Sequence, residues 1–318
     1  MGASASAPEI LAILVAVGLD IAVGDPVNRL HPVAWFGRLI IAGRRRFCIG
    51  PPTRLFVSGA ALTLTAAAVA AAVGWGVARL ASHAGPAQPL VIGAALWLLL
   101  ALRDLFAAAL EVARLLADGD LSGARSALAW HLVSRPTANL DADQVASGAV
   151  ESVAENLTDS YAAPLAFFLV FGLPGAALYR AVNTADAMLG YREGPLEHFG
   201  KAAARLDDAL NIVPARLAGL AIVAAAGLVG GNPRTAWRTL VRDRGVTASP
   251  NAGWTMSAAA GALEVTLEKP GAYRLGEGRP PGVADIRRSV ALVAAAAALL
   301  TVLLVTLGVL LRTPFDPA

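Results

Sequence analysis

The chain has 318 residues, of which 56% are hydrophobic and 15% charged, with a mean hydropathy of +0.60 and a formal net charge of +3. A soluble domain has roughly a quarter of its residues charged, so this composition excludes one and predicts a membrane protein. Its Lys and Arg fall between apolar runs, the usual encoding of membrane topology, and no nucleic-acid partner is expected.

The first apolar run, residues 8 to 24, carries Asp20 inside it and Asp25 at its end. MGASASAPEI ahead of it lacks the basic residues that precede a secretory signal, which predicts an uncleaved first helix. Further candidate spans are 55 to 77, 89 to 111, 161 to 181, 212 to 230 and 289 to 311, most of them near the ~20 residues that cross a hydrocarbon core. If all six cross, the segments 25 to 54, 112 to 160 and 231 to 288 share one side and hold eighteen of the 26 basic residues. The positive-inside rule makes that side cytoplasmic, with the N-terminus outside. Residues 182 to 211 would then lie outside, although NTADAMLGYR and ARLDDALN within them are rich in chemically able side chains. FGLPG, residues 171 to 175, offers an alternative: Gly and Pro break the helix and return the chain as a re-entrant hairpin. The expected fold is one all-α polytopic membrane domain over 1–318, with five or six transmembrane or re-entrant helices and long helical cytoplasmic loops. A single cysteine, Cys48, excludes an internal disulfide and any Cys-rich zinc or iron-sulfur site.

In chain order, LDIAVGDPVNRLHPVAWFG brings Asp20, Asp25, Asn28, Arg29 and His31 to one membrane interface. Acids there are expensive and usually functional, though Asp25 capping a turn and His31 bonding locally would also explain them. Residues 104 to 130 read as two amphipathic helices broken at DGD, with Asp120 or Ser122 as cap. Asp141 then caps a helix on which Glu151, Glu155 and Asp159 recur every four residues as one acidic ridge, with Ser152 and Asn156 in the next row. Like charges at that spacing repel, which points to a cation, and carboxylates with waters and phosphates suit Mg²⁺. A solvated face is the plainer reading, weakened because the ridge meets an apolar run.

Further on, Arg180, Asn183, Asp186 and Lys201 suit anions or a metal. Arg205, Asp207, Asp208, Asn211 and Arg216 form a mixed face that internal salt bridges would also explain. Ser249, Pro250, Asn251 and Gly253 make a polar turn at a helix start, a natural phosphate position, while AAAGA behind them is close-packing material. With only Lys201 and Lys269 in the chain, and neither in GxxxxGK[ST], no P-loop exists; GxSxG, HExxH and a Rossmann fingerprint are also absent. Any nucleotide chemistry must use a metal held by carboxylates, with Arg as the phosphate binder.

Taken together, GDPxxxxHPVxxFG, RPTxxLxxxxVxxxxVESVAENLxDxxxAP, YRAxNTxDxMxGY, RxDDxxNxxPARL and SPNAGxxxxAxAGAL resemble the CobD/CbiB family of cobalamin biosynthesis over most of residues 10 to 280. The sequence departs from the common form at Thr255, where Pro is expected after GW, and at Ala248, where many members carry His-Pro. The resemblance implies a membrane-bound adenosylcobinamide-phosphate synthase in the cell (inner) membrane with its active site facing the cytoplasm. Such an enzyme uses ATP and Mg²⁺ to join adenosylcobyric acid to (R)-1-amino-2-propanol phosphate or an analogous amino-alcohol phosphate. The expected partners are those substrates and the lipid bilayer, with other cobalamin-assembly membrane enzymes and a homo-oligomer as candidates. Expected catalytic residues are His31, Asp25 and Arg135, with His31 as the base for the amine. Nucleotide contacts fall to Arg180, Asn183, Arg205, Asp208, Ser249 and Asn251, and the metal to Glu151, Glu155, Asp159 and Asp186. A corrinoid or metal-ion transporter and a non-catalytic AmpE-like membrane sensor are the competing readings; a transporter would often show inverted repeats, and none is seen.

Overall fold

The computed structural model describes residues 7–26 and 31–310, so Asn28 and Arg29 lie outside the described residues. Helix α1 (Ala7–Val23) has 17 residues and ends at the Gly-Asp-Pro stop; Gly24 then accepts the Trp97 indole N–H at 3.1 Å. Helix α2 (Pro32–Phe47) starts on Pro32, whose missing N–H costs nothing in a first turn, with His31 as its N-cap. The long α3 (Pro52–Ala81) follows, then α4 (Gln88–Trp97) and α5 (Leu102–Ala117). Asp120 caps α6 (Leu121–His131) by accepting the Gly123 N–H at 2.8 Å. Asp141 and Gln144 form a reciprocal capping box on α7 (Ala142–Leu157), as local side-chain chemistry dictates.

Helix α7 runs through a π turn, Thr158–Ala162, into α8 (Ala163–Leu189). Asp159 falls in this π turn, past the end of α7, where Glu151 and Glu155 stand four residues apart. Within α8, Gly172 adopts φ 66°, ψ −163°, followed by Pro174, and this is the break expected at FGLPG. That backbone region is essentially restricted to glycine. The chain continues through α9 (Leu196–Phe199), α10 (Lys201–Leu210), α11 (Ile212–Ala226), α12 (Pro233–Asp243) and α13 (Ala252–Leu263). A hairpin of β1 (Leu267–Lys269) and β2 (Tyr273–Leu275) precedes the final α14 (Val283–Leu310). The hairpin follows from LEKPGAYRL, in which Pro270 and Gly271 turn the chain between two short strands with Leu267 and Leu275 paired and buried.

Among the described residues, five stretches are long and apolar enough to cross a membrane: Pro52–Ala81, Gly85–Ala117, Ala142–Leu189, Ile212–Val229 and Val283–Leu310. Helix α1 falls short of that length, while the run expected at 161 to 181 belongs to a longer stretch that includes the acidic residues of α7. The chain is an all-α polytopic membrane protein.

The helices of the described residues pack as two compact units, one drawn from within residues 1–101, 163–211 and 304–318, the other from 102–162 and 212–303. In the first, α3 packs along α8 and α1 along α4, and Ile40, Leu55, Leu189, Leu196 and Phe199 are buried together. Helix α3 leaves Phe56, Val57, Leu64, Val69, Val73 and Trp75 exposed, an apolar face that suits lipid and not water. In the second unit, α7 is buried along almost its whole length against α5, α13 and β1, which places its polar residues among protein atoms.

Candidate functional site

Glu151 lies at the middle of α7 with a side chain only 6% exposed. Such a carboxylate needs donors, and it has three: Ser147 Oγ donates to Oε1 at 2.9 Å, while Arg135 Nη2 and Tyr273 OH donate to Oε2 at 3.3 and 2.9 Å. Ser147 in turn accepts the Glu268 N–H at 2.7 Å, which docks the hairpin on α7 and delivers Tyr273 to Glu151. Burial, then the negative charges of Glu151 and Glu155, push the Tyr273 phenol far above its ordinary pKa. Tyr273 therefore stays protonated and acts as a donor.

Around this hub is a polar cavity of about 130 Å³ lined by Ser134, Arg135, Glu151, Ser152, Glu155, Lys269 and Tyr273, with Leu132 and Val133. Arg135 uses one terminal nitrogen on Glu151, and its Nε is buried with no hydrogen-bond acceptor in the protein. A buried N–H left without a partner beside a polar cavity is suited to an anion. Ser152 Oγ donates to the Leu132 carbonyl at 2.8 Å and fixes the cavity's edge to α7. Two carboxylates, a guanidinium, an ammonium and a phenol thus share one small polar space.

The expected site residues divide between the two units. Arg135, Glu151 and Glu155 meet at the cavity, and Asp159 stands in the π turn of the same unit. Among the described residues no group of three His, Cys, Asp or Glu is placed to hold a metal ion, so the acidic ridge is not a closed cage. Ser249 and Asn251 precede α13; Asn251 Oδ1 accepts Arg216 Nη1 at 2.6 Å and makes no side-chain cap bond.

In the other unit, the motifs YRAVNTAD and RLDDALN are joined by a chain of hydrogen bonds. Tyr179 OH donates to Asn211 Oδ1 at 2.9 Å, Asn211 Nδ2 to Asp207 at 3.0 Å, and Asn183 Nδ2 to the other oxygen of Asp207 at 3.2 Å. Arg180 Nη1 reaches Asn183 at 3.4 Å, whereas Asp186 and Asp208 are half-buried and Arg205 is exposed. Arg180 and Thr184 also supply the polar side chains of a mainly apolar cavity of about 130 Å³ among α2, α3, α4 and α8. His31 caps α2 by accepting the Val33 N–H on Nδ1 at 3.2 Å, and its Nε2 lies 3.7 Å from Asp25. Nδ1 is thereby engaged locally, while Nε2 faces Asp25 at more than hydrogen-bond distance.

Sequence reasoning missed Tyr273 and Lys269 at the cavity, Ser147 as the donor behind Glu151, and Asp207 as the centre of the second network. A signal existed for Lys269, one of only two lysines, at the end of a short strand just before a Pro-Gly turn.

The family model described as CobD/Cbib protein matches residues 13–306. The chain is 43% identical over 274 residues to the probable cobalamin biosynthesis protein CobD of Methanothermobacter thermautotrophicus, covering 85% of this chain and 87% of that one. It is 43% identical over 271 residues to the cobalamin biosynthesis protein CobD of Dehalococcoides mccartyi, with coverage of 85% and 87%. Against the cobalamin biosynthesis protein CbiB of Salmonella paratyphi B the identity is 38% over 287 residues, 88% of this chain and 89% of that one. No solved structure matches the chain significantly. With a family model spanning nearly its whole length and relatives of this identity and coverage, the chain belongs to the CobD/CbiB family of cobalamin biosynthesis proteins.

Proposed function

We propose that the chain is an ATP-dependent amide ligase that joins adenosylcobyric acid to (R)-1-amino-2-propanol phosphate, or an analogous amino-alcohol phosphate, giving adenosylcobinamide phosphate. The observation that carries this reading is the polar cavity of the second unit, where the unpartnered Nε of Arg135 and the ammonium of Lys269 stand beside Glu155. Cations beside a carboxylate suit a phosphorylated substrate accompanied by a divalent metal.

A carboxylate is a poor acylating agent. Its oxygen attacks the γ-phosphorus of ATP, the bond to the β-γ bridging oxygen breaks, and ADP leaves with that oxygen. The acyl phosphate then accepts the amine at its carbonyl carbon and expels inorganic phosphate. The ammonium form of the amine sheds two protons in the process, one leaving on the hydrogen phosphate and one passing to water. Arg135 and Lys269 bind phosphoryl oxygens and spread the charge that builds on them. Glu151 holds Arg135 and Tyr273 in place, with its own oxygens occupied by three donors. Glu155 is the carboxylate that would hold Mg²⁺, whose remaining positions fall to phosphates and water, as this ion prefers. Bound there, the metal would neutralise charge on the transferring phosphoryl group.

The membrane is proposed to be the cell (inner) membrane with the site facing the cytoplasm, where ATP is available and where the basic segments are expected. The test is the purified full chain in detergent with ATP, Mg²⁺, adenosylcobyric acid and the amine phosphate. Amide product and ADP should appear in equal amounts. ATP-independent movement of corrinoid across vesicles, with no amide formed, would favour a transporter, and inactivity in both assays a sensor.

A further inference from the structure

Three helices of the second unit bring two arginines to one aromatic ring, apart from the cavity just described. Helix α11 supplies Arg216, the residue after α12 is Arg244, and α13 supplies Trp254. The guanidinium carbons lie 4.9 and 5.3 Å from the centre of the Trp254 ring, both within cation–π range. Gly253 makes this possible, since a Cβ there would stand 2.3 Å from the Arg244 carbonyl oxygen and force α13 away from the end of α12.

Among the described residues neither guanidinium is ion-paired with a carboxylate. Arg216 donates to Asn251 Oδ1 at 2.6 Å, and Arg244 to the Val241 carbonyl at 3.1 Å. Their acceptors are neutral, so two like charges converge on one ring with no protein anion between them. Some other arginines of this unit are neutralised, since Arg279 and Arg288 share Asp285 and Arg242 pairs with Asp243 and Glu277. Arg234, Arg238, Arg274 and Arg287 make no ion pair among the described residues but are exposed, whereas Arg216 and Arg244 are half-buried. The contrast marks Arg216 and Arg244 as a pair whose counter-charge comes from outside the chain. Each still has further N–H donors, and forked donors of this kind match phosphate oxygens.

We infer that Arg216 and Arg244, held on Trp254, bind the phosphate of a small phosphate monoester. Under the ligase reading, on which this assignment of the ester rests, that group is the phosphate of the amine substrate. It is carried through the reaction untransferred and needs an anchor of its own, apart from the cations that serve phosphoryl transfer.

The experiment measures binding without turnover, by calorimetry on the full-length protein in detergent. The probes are ethanolamine phosphate, inorganic phosphate, ethanolamine and ATP; the variants are Arg216→Gln, Arg244→Gln and Arg244→Lys, with the exposed Arg238→Gln as control. Ethanolamine phosphate should bind wild type and Arg238→Gln equally, and Arg216→Gln and Arg244→Gln about tenfold or more weakly. Arg244→Lys should recover part of the loss, ATP affinity should not change, and ethanolamine should not bind. Unchanged ethanolamine phosphate affinity in folded Arg244→Gln would overturn the inference. So would an equal loss for ATP, which would assign the arginines to the nucleotide. Repeating the titration in phosphatidylglycerol and phosphatidylcholine nanodiscs separates a lipid source of the same phosphate: arginine-dependent capture of phosphatidylglycerol without ethanolamine phosphate binding would give the site to lipid and overturn the amine assignment. A protein that binds the amine phosphate through these arginines yet forms no amide would refute the ligase reading alone.

Discussion

Replacing Glu151 with Gln removes the negative charge facing Arg135 and leaves a half-satisfied guanidinium in a largely buried position. The expected cost is about 3 kcal/mol, in the range for breaking a buried pair from one side, read as a clear drop in the thermal midpoint in detergent. Glu155, one turn later and less buried, gives the opposite pattern. Glu155→Gln should lower the ligase rate about a hundredfold or more, or demand far more Mg²⁺, with a thermal midpoint equal to wild type or slightly higher as repulsion within the helix is relieved. Wild-type activity at wild-type Mg²⁺ dependence in Glu155→Gln would refute its role. Asp243 supplies a pH-dependent case: the Arg242 hydrogen bonds, opposed by burial and aided by the Gly276 N–H, hold its carboxyl below the ordinary range. A depressed folded pKa contributes stability above the unfolded value, about 3.9, and loses it as pH falls through the folded value. Asp243→Asn should therefore be less stable than wild type by about 1 kcal/mol at pH 7, and the gap should begin to narrow below about pH 4 and close once pH has fallen past the folded value. Melts across that range check it; a gap that persists in acid would assign the effect to packing.

At the scale of elements, the break in α8 rests on Gly172, whose φ of 66° with ψ of −163° an L side chain rarely adopts. Gly172→Ala should cost roughly 1–3 kcal/mol or straighten the helix, and thermal melts with spin-label distances across the break distinguish the two. An unchanged midpoint and unchanged distances would show that the break does not depend on this residue. The break, the Asp120 cap and the Asp141 capping box were legible in the sequence because each depends on residues within a few positions of one another. Tyr273 at Glu151 was not, because 122 residues separate them and only the docking of the hairpin on α7 joins them. The spacing of Glu151 and Glu155 on α7 was legible, while the π turn in which Asp159 stands was not, since no local signal marks it.

For the whole molecule, the asymmetry of Lys and Arg predicts that residues 25–54 and 231–288 share the cytoplasmic side. Cysteine placed at Arg45 or Arg274, in a chain whose native Cys48 is replaced, should resist an impermeant thiol reagent in intact cells and react after permeabilisation. Both positions are exposed and neither is ion-paired, whereas Arg279 holds the buried Asp285 and would be a damaging choice. Labelling of either cysteine from outside would reverse the orientation.

The sequence by itself determined the class of the molecule, its apolar spans, its caps and the break in α8, since composition, hydrophobic run length and local side-chain chemistry act along the chain. It also carried the family, through motifs that occur together in order. The tertiary structure alone decided which carboxylate is saturated, which arginine nitrogen is left without an acceptor, and that Asn251 serves Arg216 instead of capping α13. Those outcomes depend on burial and on donors arriving from helices and a hairpin far apart in sequence. Spacing along one element fixes which side chains share a face, but only packing decides what stands opposite them.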